Sequence, residues 1–597
     1  MVMLSGPNEV DTKAADAPPG STESERAAFL DKNLNSVSFS LPPSLMWAVD
    51  ARLESACADG WSDRLWRGDA SLWTDSDEGK WVGWLPAGLG KQISADALKA
   101  FSDEVRRDGF THVVLLGMGG SSLGPEVLAR TLGSCEGYPE LLVLDSTDPA
   151  EIASVEARID FARTLFIVAS KSGSTLEPEL LRAYFFTKTE QALGKGSAGQ
   201  HFAAITDPDS RLDNIAKADG YRSIFHGDPT IGGRYSVLSV FGMVPLAITG
   251  HDVGTFFRDV LPMVEACGPN MPAMVNPGLG LGVVLGEAAR AGRDKLTIFV
   301  SPKIASLGAW LEQLVAESTG KGGKGIVPVD LEPIGSPELY GDDRLFAYIG
   351  VAGEKSEFDA TLNALIEAGH PVIRVTVAEP NTIGQEFFRW EVATAIAGAS
   401  MGINPFDQPD VEASKVKTRT LTDAHECGAE LASEVPFAME GCIAFFGDAS
   451  LAEGGASAET IIARHFARLK AGDYAAVLAY VERTSRHEAL IGQIRLALRE
   501  SRHVATVGGF GPRFLHSTGQ VYKGGPNSGV FLQTTADPKR DIPIPGRAIT
   551  FGVVEAAQAC GDLDVLAERG RRHLRINIRG GDVEAGLQKI ARAMAAI

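Results

Sequence analysis

Cysteine is scarce: six residues in 597 (Cys57, Cys135, Cys267, Cys427, Cys442 and Cys560), no two of them at C-x-x-C spacing. That argues against a zinc site and a disulfide framework, and for a reducing cytoplasm. No run of 18 apolar residues occurs, so no membrane-spanning helix is expected. The first residues, MVMLSGPNEVDTKAADAPPGSTESER, lack both a basic start and an apolar core of signal-peptide length. Basic residues are outnumbered, 56 Lys and Arg against 76 Asp and Glu, for a formal charge of −20. This disfavours nucleic acid as a partner, because phosphate backbones need clustered cations. A small anionic substrate is still allowed, since screening over about 8 Å lets a local basic pocket override the global sign. What remains is the composition of a globular enzyme: 44% apolar, 22% charged, 66 glycines.

The length suggests roughly three to five domains. After a polar lead over 1–40, residues 41–108 read as helical, with Trp47, Trp61, Trp66, Trp73, Trp81 and Trp84 as packing residues. From 109 the rhythm changes to short apolar runs bounded by Gly, Ser, Thr and Asp: His112–Leu116, Glu140–Leu144, Thr164–Ala169 and Phe202–Ile205. Helical stretches separate them, which is the pattern of parallel strands with crossover helices. A second series starts after Pro277, with strands at Lys295–Val300, near Leu345–Val351 and at Pro371–Val377. The third portion has helical stretches, a strand at His503–Gly508, a loop rich in Gly, Ser and Pro, and a late strand at Leu574–Ile578. The expected fold is α/β: two doubly wound domains with parallel sheets, over 41–255 and 256–430, plus a C-terminal α/β portion over 431–597.

Two strand-to-helix turns carry anion chemistry. The first is Gly117-Met118-Gly119-Gly120-Ser121-Ser122-Leu123-Gly124-Pro125, where glycines admit a ligand close to the backbone and a helix N-terminus follows. It is not a dinucleotide fingerprint, because Ser122 takes the third glycine position; taken alone it would serve equally as a tight turn. The second is Ser170-Lys171-Ser172-Gly173-Ser174-Thr175, with four hydroxyls and a lysine, suited to a phosphate monoester though also to plain N-capping. Two such turns on neighbouring strands converge at the C-terminal edge of one sheet. Gly232-Gly233-Arg234 adds an arginine for an anionic oxygen.

In Trp310–Gly325, WLEQLVAESTGKGGKG, Gln313 and Glu317 lie one helical turn apart while Trp310, Leu311, Leu314 and Val315 face a core. Gly320 is expected to end the helix in a left-handed cap. A carboxylate fixed there is placed for proton abstraction; an ordinary surface glutamate would read the same on this segment alone. No metal-ligand cluster is visible.

Together GMGGSSLGP, SKSGST, GGRYSVLS, EQLVAESTGKGGKG and NPFDQPDVEASK resemble phosphoglucose isomerases, in the family's order and over about residues 109–420. The remainder, including RFLHSTGQVYKGGPNSGVFLQ, resembles the isomerase half of proteins fused to a transaldolase. No transaldolase barrel fits ahead of residue 109, so that activity is expected to be absent. The resemblance implies paired sugar-isomerase domains, the first binding phosphate and the second carrying the base. It implies interconversion of glucose 6-phosphate and fructose 6-phosphate in glycolysis and gluconeogenesis, without a cofactor or metal. Gly119, Ser121, Ser170, Lys171, Ser172 and Thr175 would hold the sugar phosphate, and Gln313 would be a neighbouring polar contact. Glu317 would shuttle the proton, Arg234 would stand beside the enediolate, and Lys415 near the ring oxygen. For ring opening His516 is the best match, with His226 second; whether His516 acts in its own or a partner subunit stays open. The family is often dimeric, so a homodimer is an admitted assembly. Rival readings are an isomerase also taking mannose 6-phosphate, a non-catalytic sugar-phosphate sensor, and a nicotinamide-dependent dehydrogenase, which the glycine pattern disfavours.

Overall fold

The apolar runs become the central strands of three separate sheets. The computed structural model describes residues 34–354, 356–429 and 434–596. The described chain begins with β1 (Ser36–Ser40) and then builds the first sheet: β2 (His112–Gly117), β3 (Glu140–Leu144), β4 (Thr164–Ala169), β5 (Phe202–Thr206) and β6 (Ser223–His226). Its order is β3-β2-β4-β5-β6, with every pairing parallel. β2, β4 and β5 read as unbroken apolar runs because helices cover both faces of a parallel sheet. From β2 the chain steps to β3 on one side and then crosses to β4 on the other. The turns after β2 and β4 therefore flank the topological switch point, where open α/β sheets bind ligands.

The second sheet holds β7 (Lys295–Val300), β8 (Val327–Val329), β9 (Arg344–Val351) and β10 (Val372–Val377), in the order β1-β10-β9-β7-β8. All pairings are parallel except that of β1, which runs antiparallel on the outer edge of β10. Residues 36–40, assigned from sequence to a polar lead, thus belong to this sheet. One apolar core runs from the helix Pro43–Ala58 through the first two sheets.

The third sheet holds β11 (Ala438–Glu440), β12 (Ile443–Gly447), β13 (Tyr474–Tyr480), β14 (Ala505–Phe510), β15 (Gly529–Ala536) and β16 (Arg572–Ile578). Its order is β11-β12-β16-β15-β13-β14, and its four long strands are parallel. They follow the second-first-third-fourth order of the other two sheets, so the C-terminal portion is itself doubly wound. It has its own core.

Local departures have physical causes. The strand expected at His503–Gly508 starts two residues later, because His503 (φ +52°) closes the preceding helix in a left-handed cap. Trp47 is 72% exposed rather than packed, whereas Trp61, Trp73 and Trp84 are buried. Gly320 has φ −76°, not the left-handed cap expected. Glycine is needed there for space, since a Cβ would lie 2.3 Å from Cα of Val521.

Candidate active site

β2 runs into a short turn, Gly119–Ser121, ahead of the helix Leu123–Leu132. Gly119 has φ +56°, and a Cβ on it would stand 2.7 Å from Nε2 of Gln313 and 2.9 Å from the carbonyl of His516. A Cβ on Gly120 would stand 1.9 Å from the carbonyl oxygen of Gly233. The glycines are what let the turns bearing Arg234 and His516 close onto this strand end. Gly119→Ala is expected to displace Gln313 and His516 together and to lower kcat/KM about 100-fold, read by steady-state kinetics on folded variant.

β4 runs into Ser170–Thr175 ahead of the helix Leu176–Leu193. Ser170 Oγ donates to Thr175 Oγ1 at 3.2 Å, and the hydroxyls of Ser172 and Ser174 lie 2.9 Å apart. Ser121 and Ser170 are both buried. Lys171, expected to face the anion, is paired within the fold. Its Nζ is 2.5 Å from Oδ2 of Asp207 at the end of β5 and donates to the carbonyl of Asp228 at 3.3 Å.

The helix Leu307–Thr319 buries Trp310, Leu311, Leu314 and Val315 as the sequence predicts, along with Gln313 and Glu317. Gln313 Nε2 donates to Glu317 Oε2 at 3.0 Å and to the carbonyl of His516 at 2.7 Å. Arg234 Nη1 lies 3.3 Å from Glu317 Oε1. The rest of its guanidinium is saturated: Nε donates to Ser318 Oγ (2.7 Å), Nη1 to Gln408 Oε1 (3.0 Å), and Nη2 to the carbonyls of Pro405 (2.7 Å) and Asp407 (3.0 Å). Lys321 grips the same 404–408 segment, with Nζ 2.8 Å from Asp407 Oδ1. Its burial, and then the neighbouring Arg234 charge, push its ammonium down to about 7.

His516 comes from the third unit, on the turn Arg513–His516 after β14. Arg513 fastens that turn to the first sheet: its Nε lies 2.7 Å from Asp145 Oδ2 and its Nη2 pairs with Glu126. Asp145 also accepts from Ser122 Oγ at 2.9 Å. His516 Nε2 sits 2.9 Å from Glu177 Oε1. The same oxygen accepts from Gln558 Nε2 at 2.6 Å, and Gln558 Oε1 accepts from Thr147 Oγ1 at 2.6 Å. Burial raises the Glu177 carboxyl, but the His516 imidazole outweighs it and holds the group below the usual carboxylate value of 4.5. Glu177 is therefore an anion set against Nε2 of His516, and it orients the ring.

Glu177 and Gln558 were missed from sequence. Glu177 lies two residues past the Ser170–Thr175 turn and reads as a first-turn capping acid; Gln558 lies in the helix Phe551–Glu568 with no local signal. Because its folded value lies below 4.5, Glu177 stabilises the fold above that pH and loses the contribution as pH falls. Glu177→Gln is accordingly expected to unfold earlier than the unaltered chain at pH 7, with the gap narrowing only as pH falls below 4.5 in denaturant titrations.

A cavity of about 140 Å³ lies between the second turn and the helix Pro409–Glu426. Ser172, Thr175, Glu177, Lys415, Arg419 and His516 are among its lining residues. Lys415 Nζ pairs with Glu412 Oε1 at 2.7 Å. His226 is not brought in; its half-exposed ring pairs with Asp213 outside the cavity lining. Among the described residues no group of three or more His, Cys, Asp or Glu is arranged to hold a metal ion.

Fold and site together define a doubly wound α/β protein with hydroxyl-rich strand-to-helix turns and a buried carboxylate–arginine–histidine centre. The phosphoglucose isomerase family profile matches residues 93–324. A glucose-6-phosphate isomerase from Rubrobacter xylanophilus is 32% identical over 362 residues, covering 53% of this chain and 83% of that protein. A probable glucose-6-phosphate isomerase from Methanococcus maripaludis is 30% identical over 367 residues, covering 54% and 81%. Among solved structures, a hypothetical protein from Thermus thermophilus shares the fold, with a TM-score of 0.56 at 24% identity over 64% of this chain and 99% of that one. The chain belongs to the phosphoglucose isomerase family. No helix among the described residues is long and apolar enough to cross a membrane.

Proposed function

We propose that the chain interconverts glucose 6-phosphate and fructose 6-phosphate through a cis-enediolate, the step shared by glycolysis and gluconeogenesis. The carrying observation is the placement of Glu317: a buried carboxylate held by Gln313 on one oxygen and facing Arg234 on the other. One carboxylate serves both carbons, because a cis-enediolate presents C1 and C2 on one face. Once Glu317 has taken up the proton, the Arg234 Nη1–H that faced it is left for the charge that develops on the enediolate oxygen. Across the same centre His516, its Nε2 turned to Glu177, serves the ring oxygen through Nδ1 as the acid–base group that opens the sugar. Lys415 supports that end of the substrate, and Gly119, Ser121, Ser170, Ser172 and Thr175 receive its phosphate. Lys171 holds the second turn in shape through Asp207.

All of these residues come from one chain, so His516 needs no partner subunit to reach Glu177. A cytoplasmic setting is supported by six free cysteines. The test is a coupled assay with fructose 6-phosphate, reading glucose 6-phosphate with EDTA present. Turnover is expected; binding of the sugar phosphate without turnover would leave a sensor in place of an enzyme.

A further inference from the structure

A phosphate monoester carries about −1.5 to −2 charges at neutral pH. Hydroxyls and backbone N–H groups give it donors but no formal positive charge. The cations that the sequence offers for it are already engaged. Lys171 is held by Asp207 at 2.5 Å, Lys415 by Glu412 at 2.7 Å, and His516 by Glu177 at 2.9 Å. One cation lining the cavity is different. Arg419 lies one helical turn beyond Lys415 on the same helix face, and lines the cavity with Ser172, Ser174 and Thr175. Its guanidinium has no acidic or carbonyl partner among the described residues.

We propose that Arg419 is the phosphate cation of this site, closing over the substrate phosphate from the side opposite the Ser170–Thr175 turn. The assignment rests on the sugar-phosphate reading above. A guanidinium fits this task better than an ammonium, since its parallel N–H groups take two phosphate oxygens at once. Lying at the rim, it also offers a local positive charge to an anion approaching a chain of formal charge −20.

The assignment is tested by calorimetric titration of the full chain with inorganic phosphate, beside steady-state kinetics with fructose 6-phosphate. Arg419→Gln is expected to weaken phosphate binding and to raise KM, each about 10- to 100-fold. kcat should move less than about threefold, as for a group that binds ground and transition states alike. Arg419→Lys should recover part of the loss. Sorbitol, which has the hydroxyls but no phosphate, should inhibit variant and unaltered chain equally. Because Arg419 is exposed, its replacement leaves the core intact. Undiminished phosphate affinity in Arg419→Gln would overturn the proposal, as would absence of phosphate binding by the unaltered chain. Phosphate binding that depends on Arg419 in a chain without turnover would leave the assignment standing and overturn the isomerase reading instead.

Discussion

Glu317→Gln is expected to fold as the unaltered chain does and to isomerise fructose 6-phosphate about 1,000-fold more slowly or worse, the range that one positioned general base supplies. The substitution keeps the volume and shape of the side chain at a site that is 9% exposed, so no cavity opens. An amide oxygen still accepts from Gln313, and the fold is held mainly by Leu311, Leu314 and Val315 beneath it. What disappears is the proton acceptor. The fall should appear in kcat with KM nearly unchanged, because the phosphate cradle is untouched. Turnover like that of the unaltered chain would remove Glu317 from its assigned role.

The second large effect is at Arg234. Arg234→Lys retains a positive charge but not the fork that meets Glu317, Ser318, Gln408 and the carbonyls of Pro405 and Asp407 together. kcat is expected to fall about 100- to 1,000-fold, the loss found when one preorganised donor to a developing oxyanion is removed. Stability should also fall by about 1–3 kcal/mol, since buried acceptors of the 404–408 segment are left without donors. The two losses separate by experiment: kinetics at low temperature on fully folded protein isolates the catalytic part. A change in KM alone would make Arg234 a ground-state binder.

Much of this was legible in the sequence because the informative patterns are local. Strand, glycine turn and helix follow one another within Val113–Leu128, and the same holds for Thr164–Leu181. The spacing of Gln313 and Glu317 gives their stacking directly from helical periodicity, and the hydrogen bond between them is present. What stayed hidden depends on partners far along the chain. Gln558 meets Glu177 across 381 residues, and no periodicity in either segment announces the pair. Lys171 reads as a phosphate ligand, and its pairing with Asp207, 36 residues on, has no signal in the turn itself. The third sheet was only partly visible: β13 and β15 are buried apolar strands that went unread, and together they order the sheet. That sheet delivers His516 over the first one through Arg513 and Asp145, a docking set by tertiary ion pairs rather than by any motif.

The most direct measurement is the isomerisation of fructose 6-phosphate in D2O, with C2 of the glucose 6-phosphate formed read by NMR. Proton transfer through one carboxylate predicts deuterium at C2, because Glu317 exchanges its proton with solvent during part of the turnovers. Glu317→Gln should suppress incorporation and turnover together. Turnover and deuterium incorporation by Glu317→Gln at the rate of the unaltered chain would contradict the account, since another group would then be moving the proton.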